Sequence, residues 1–314
     1  MKYAGKEGLK ARGLCRSFGL CISALLIMSG CNDSESPLSE PADVQVPGDT
    51  ETQTGSAPVT QAVALNFQAM VGDEEARCGQ TYSNVGTPSA NWTPQDFRFF
   101  VHDLRLIDEA GNEVSVVLDE VPGWQYRGAA LLDFENAEGA CADGTPETRG
   151  VVSGSVPQGN YRGVVFRIGV PVALNHLDAA TLPAPLGPDN PMWWGWLNGY
   201  MFTKIEGLVG SAPFFIHLGS TGCVDAQGMV PSDEGICARP NRPEVRFPTF
   251  DLQTNRVAFD VKAIVGGMNT SQNLGGPPGC MSNPLDPECA VVLPKLGVEL
   301  DGSYAGTQPA FRSL

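Results

Sequence analysis

The sequence predicts an all-β fold, an antiparallel β-sandwich or distorted barrel with long disulfide-bridged loops and little helix. Three observations carry this. Ten short segments are rich in β-branched and aromatic residues, and the clearest of them alternate apolar with polar positions. Glycine and proline, 37 and 25 of 314 residues, punctuate the intervals together with Asn and Asp. Beyond Cys31, six cysteines follow an N-terminal leader of the kind that directs export, into a compartment where disulfides persist.

The leader, residues 1–30, is basic at its start, with Lys2, Lys6, Lys10, Arg12 and Arg16 against a single Glu7. An apolar run from Phe18 to Met28 follows, too short to span a bilayer with ordinary flanks. It ends in Met28-Ser29-Gly30-Cys31, which resembles a bacterial lipoprotein signal with Cys31 as the acylated residue. Asn32, in place of an aspartate, resembles the outer-membrane sorting pattern, so the expected location is a periplasm-facing or surface outer-membrane lipoprotein. Residues 31–58 are rich in Ser, Pro, Glu, Asp and Thr and read as a disordered tether. Loss of the leader takes the formal charge from -15 to about -19. A surface this acidic repels nucleic acid and anionic headgroups, which leaves the lipid anchor as the only membrane attachment.

Residues 59–314 read as one β domain. Val59 to Val71 alternates through Val63, Leu65, Phe67, Ala69 and Val71, and strands are expected at Phe97–Ile107, Glu113–Leu118, Gly150–Val156 and Tyr161–Val170. Later strands fall at Met201–Leu208, Pro213–Leu218, Val245–Leu252, Arg256–Ile264 and Val291–Leu300. Thr93-Pro94-Gln95-Asp96 reads as a turn or helix start, and a short helix is expected over Ala173–Thr181. The long intervals Gln125–Gly150, Pro171–Gly199 and Gly219–Pro243 exceed hairpin lengths and point to function or cross-linking.

The six cysteines are Cys78, Cys141, Cys223, Cys237, Cys280 and Cys289. They allow fifteen pairings, between which sequence does not choose. Short intervals favour Cys223 with Cys237 and Cys280 with Cys289, which leaves Cys78 for Cys141. With no CxxC pair, oxidised bridges are favoured over zinc thiolates.

No GxSxG elbow, HExxH helix or Gly-rich phosphate loop occurs, so no hydrolase or nucleotide chemistry is indicated, and a non-enzymatic role is expected. Chemistry concentrates instead in MWWGWLNGYMF, Met192 to Phe202, and FFIHLGSTGC, Phe214 to Cys223. Of three histidines, His102 shares a strand face with Phe100 and Leu104 and reads as a hydrogen-bonded core residue. His176 sits in a loop or short helix, and His217 at a strand end that can aim a side chain into a rim site. Two neutral imidazoles with one weak third donor suit copper(I) better than zinc or calcium. Trp194 and Trp196 share a face in an extended segment, with Trp193 opposite.

Taken in order, YRGVVFRIGVPVALNHLD from Tyr161, MWWGWLNGYMF and FFIHLGSTGC resemble the MbnP-like family, the metallo-mystery pair proteins with a four-Cys motif. The resemblance covers roughly Ala62 to Leu300. It implies an exported copper-binding protein whose partner is a MauG-type di-haem peroxidase, which oxidises a tryptophan to kynurenine. Kynurenine offers an aryl amine and a ketone where the indole N–H only donates. Carried over by motif, the metal residues are His176, His217, Trp196 and Trp194, with Trp196 favoured for oxidation, and the four cysteines are Cys78, Cys141, Cys223 and Cys237. The competing class is a carbohydrate- or protein-binding sandwich in which the tryptophans stack on ligand and the histidines merely pack.

Overall fold

A computed structural model describes residues 59–142, 144–195, 197–224 and 237–314. The leader, Cys31, the 31–58 tether and Trp196 lie outside the described residues.

Two β-sheets face each other, and neither closes into a barrel. The larger runs, by adjacent strands, Glu244–Phe247, Tyr161–Ile168, Ala90–Asp108, Gly199–Val209, Ala212–Gly219 and Gly279–Cys280, with smaller strands attached to this path. The smaller runs Phe311–Ser313, Val257–Asp260, Thr60–Val71, Val151–Pro157 and Val117–Leu118. Pairing is antiparallel except for Thr60–Val71 with Val257–Asp260 and Ala212–Gly219 with Gly279–Cys280.

Alternation sets which side chains meet between the layers. Val63, Leu65, Phe67, Ala69 and Val71 are buried, as the period-two pattern of that strand requires. Phe67 lies edge-on to Phe99 and Phe166 at 5.7 and 5.3 Å between centroids, and Phe259 lies edge-on to Phe97 and Phe99 at 5.6 and 4.9 Å. Phe259 also stacks on Phe311 at 4.2 Å. Six phenylalanines, three from each sheet, thus form the seam of the sandwich.

Four expectations are corrected. Thr93–Asp96 lies within the 19-residue Ala90–Asp108 strand. Glu206 pairs with Asp96 while Gly207 pairs with Pro94, so Gln95 is the extra residue of a bulge, where a proline lacking its N–H is tolerated. Val291–Leu300 holds a helix, Cys289–Lys295, whose first residue is bridged to Cys280. An apolar run of that length does not distinguish strand from helix by period. Arg256–Ile264 is strand only over Val257–Asp260; Asp260 then caps a turn of helix, Val261–Ile264, accepting from the Lys262 N–H at 2.9 Å. The expected helix near Ala173 is two pieces, Val172–Asn175 and a 3-10 turn, Ala179–Thr181.

The cysteines pair Cys78–Cys141, Cys223–Cys237 and Cys280–Cys289. The first two bridges use the four cysteines of the motif, and each ties down one of the long intervals.

Candidate metal centre

The outer face of the larger sheet carries an unusual row. Asp133 pairs with Arg98, Arg98 with Lys204, and Lys204 with His217, so four polar side chains stand abreast across four strands. One step along, Asp96 pairs with Glu206, and Glu206 with Phe215. Asp96, Arg98, Asp133 and His217 are all buried. Buried charges persist only when paired, and Asp96 and Arg98 are. Arg98 Nε donates to Asp96 Oδ1 at 2.9 Å, Lys204 Nζ to Asp96 Oδ2 at 2.7 Å, and Glu206 Oε1 lies 3.6 Å from Lys204 Nζ and 2.8 Å from His217 Nε2. Burial pushes the Glu206 carboxyl up, but the His217 bond and the Lys204 charge outweigh it and hold its pKa below the ordinary value.

At the end of this chain, His217 Nδ1 is buried and has no hydrogen-bond partner among the described residues. A buried imidazole nitrogen without a partner is costly unless something else uses its lone pair. Beside it stands Trp194, ring centroids 6.3 Å apart and nearly perpendicular. Trp194 is half-buried because Gly219 leaves room for it: a Cβ there would come within 2.8 Å of Trp194 Cζ3. In the Trp193–Gly195 strand, Trp193 pairs with Tyr200 and Gly195 with Gly199, and the register shift between them turns Trp194 inward while Trp193 stays 37% exposed.

His176 lies next to Asn175, which contacts the same hairpin. It caps the Val172–Asn175 helix and is buried, its Nε2 3.4 Å from Cys237 Sγ and 3.1 Å from Asn175 Nδ2. Asn175 grips the hairpin, accepting from the Tyr200 N–H at 3.1 Å and donating to the Asn198 carbonyl at 3.4 Å. Close approach demands glycine at 199, where a Cβ would meet the Asn175 carbonyl at 2.4 Å and φ is +72°. His176, Cys223 and Cys237 offer donor atoms within 4.8 Å of one another, but the sulfurs are joined as a disulfide and are not thiolates. Both histidines therefore border one tryptophan hairpin, His217 beside Trp194 and His176, through Asn175, near its Asn198–Tyr200 end. Trp196 lies outside the described residues.

His102 is set apart. Its Nδ1 lies 2.8 Å from the Gly169 carbonyl oxygen, and burial, then the charges of Arg242, Arg167 and Arg105, push its pKa down to about 3. It is a neutral, hydrogen-bonded core residue.

Sequence reasoning missed Glu206, Lys204, Asp96 and Arg98. The available signal was charge at period two inside otherwise apolar strands, Asp96 and Arg98 in QDFRFF and Lys204 and Glu206 in FTKIEG.

The MbnP family model matches residues 60–282. The chain belongs to the MbnP family. The MbnP from Methylosinus trichosporium has a similar structure, at TM-score 0.72 and 30% identity, covering 81% of this chain and 98% of that one. Among curated proteins none matches. The MbnP span holds His176, Trp194, His217 and the four motif cysteines, whereas Cys289 and its helix lie beyond it. The MbnP architecture thus includes the sheet that bears the charged row.

One consequence of that row concerns pH. Burial, opposed by the Arg98 charge and assisted by Glu135, pushes the Asp133 pKa up to about 7. The folded state then holds a proton that the unfolded chain releases near pH 4, so stability falls as pH rises from about 4 to 7 and levels off above. Asp133→Asn retains an oxygen for the Glu135 N–H, which Asp133 Oδ1 accepts at 3.1 Å. Its gain over wild type is expected to grow from pH 5 to pH 8, reaching on the order of 2 kcal/mol, discounted because Asp133 lines an open cavity of about 580 Å³. Denaturant unfolding at the two pH values measures it; a difference independent of pH would assign the shift elsewhere.

Proposed function

We propose that this is an exported, lipid-anchored copper-binding protein of MbnP type, in which His176 and His217 supply the nitrogen donors and an oxidised tryptophan supplies the third. The oxidant is a partner di-haem peroxidase of the MauG type, acting on Trp196 or Trp194. The role is copper acquisition or handling. The observation that carries this reading is a buried His217 Nδ1, without a hydrogen-bond partner among the described residues, next to an indole.

The donor chemistry fits copper(I). Two imidazoles are borderline-soft neutral donors, and a kynurenine amine or ketone adds a weak third, a set too sparse for zinc and too nitrogen-rich for calcium. Bound copper would supply a soft cation able to exchange an electron. The chain's own residues do the rest: Asn175 fixes the hairpin against His176, Gly199 and Gly219 permit the close approach, and the Cys223–Cys237 bridge holds the loop against which His176 rests. Asp96, Lys204 and Glu206 orient His217 from behind.

The test is copper(I) titration of wild type, His176→Ala and His217→Ala, each with and without prior reaction with the peroxidase, alongside intact-mass and peptide analysis. Either substitution is expected to weaken binding at least 100-fold. Retained affinity in both variants would remove the ligand assignment. Tryptophans left unmodified by an active partner would remove the kynurenine donor.

A further inference from the structure

We propose that Glu206 is a positioning residue that fixes the His217 tautomer, placing the proton on Nε2 and leaving the Nδ1 lone pair as the metal donor. This rests on the copper reading given above.

A neutral imidazole has one N–H and one lone pair, and whichever nitrogen meets a strong acceptor takes the proton. Glu206 Oε1 lies 2.8 Å from Nε2. A carboxylate only accepts, so Nε2 donates, and in the neutral ring Nδ1 is then bare. Nδ1 is buried without a partner among the described residues, as a preset donor atom must be before its ligand arrives. Had the bare nitrogen been Nε2, it would face a carboxylate, and lone pair would oppose lone pair.

Strand geometry explains why Glu206 reaches His217. Across the Gly199–Val209 and Ala212–Gly219 pair, His217 stands opposite Lys204, so Glu206 is its diagonal neighbour on the same face. Lys204 then keeps Glu206 in place, with Nζ 3.6 Å from Glu206 Oε1 and 2.7 Å from Asp96 Oδ2. Arg98 in turn holds Asp96. A rigid line of alternating charge therefore ends on the back of one ligand. Carboxylates in this position orient metal-bound histidines and raise their basicity, and losing one typically costs about 10–100-fold in affinity.

The experiment compares wild type, Glu206→Leu and Glu206→Gln. Leucine fills the space but accepts nothing; glutamine keeps an acceptor oxygen without the charge. In the metal-free protein, nitrogen-15 NMR of the His217 ring reports the tautomer directly. Wild type is expected to show protonated Nε2 and bare Nδ1, Glu206→Leu a mixture, and Glu206→Gln the wild-type tautomer. Copper(I) affinity should fall about 10–100-fold in Glu206→Leu and recover most of that in Glu206→Gln. A wild-type His217 protonated at Nδ1 overturns the inference without any variant. So does an unchanged tautomer and affinity in folded Glu206→Leu when His217→Ala still abolishes binding. Wild type that binds no copper defeats the functional reading instead, and the tautomer measurement still judges the Glu206 bond by itself.

Discussion

Phe259→Ala is expected to destabilise the domain by about 3–5 kcal/mol, the range for removing a fully buried aromatic ring from a well-packed core. Phe259 has no exposed surface and touches both layers. It stacks on Phe311 at 4.2 Å and meets Phe97 and Phe99 edge-on. Its strand, Val257–Asp260, is short, with Thr60–Val71 on one side and the Phe311–Ser313 strand on the other, so neighbours cannot slide in to fill the void. The cost should appear as a lower denaturant midpoint with the slope unchanged. Copper affinity should not change, because the ring lies between the sheets, whereas His217 lies on the outer face and His176 at the end of the Val172–Asn175 helix. A loss below about 1 kcal/mol would mean that the seam relaxes and that the six phenylalanines are not the interlocked layer described above.

How far the sequence discloses this fold depends on what each residue faces. Val63 to Val71 was readable because one face of that strand is buried and the other is not, which writes the sheet into the chain as alternation. The Ala129–Asp133 strand was not readable: all five residues are buried, so no alternation exists, and it fell inside an expected loop. Cys289–Lys295 was misread because Val291, Val292 and Leu293 suit a strand locally, and only the bridge to Cys280 and the packing of a short helix decide otherwise. At the site, His217 was legible from its alternation with Phe215, which the structure places on the same face, rings 5.6 Å apart. Glu206 was not legible as its partner. Their pairing is a matter of register between strands, and register is set by turn and core together rather than by any short motif. The same holds for Arg98, which reads locally as one more polar position on an exposed face.

Arg98→Met is expected to be the most disruptive polar substitution in the domain, costing about 3–5 kcal/mol. The reason lies less in the value of any one ion pair than in what the change leaves behind. Arg98 is buried among three carboxyl groups: it hydrogen-bonds Asp96, its Nη1 lies 3.6 Å from Glu135 Oε1, and it pairs across the sheet with Asp133. Each acid keeps some support without it. Asp96 retains Lys204, and Glu135 still accepts from the Ala137 and Thr145 N–H groups at 3.2 and 3.1 Å. But Glu135 and Asp133 would lose the cation that faces them, and Lys204, left alone to hold Asp96, is also needed by Glu206. Methionine matches the length of the stem and leaves little void, so the loss isolates charge from packing. Two measurements separate this account from a generic core defect. Adding Asp133→Asn to Arg98→Met should recover a measurable part of the lost stability, since it removes one of the orphaned acids, and the two substitutions should be strongly non-additive. The single variant should also loosen the line that ends on His217, by drawing Lys204 toward Asp96, so its metal-free His217 ring should show tautomer exchange that the equally destabilised Phe259→Ala does not. Simple additivity with Asp133→Asn, together with an undisturbed His217 tautomer, would show that the charged row is a set of independent pairs.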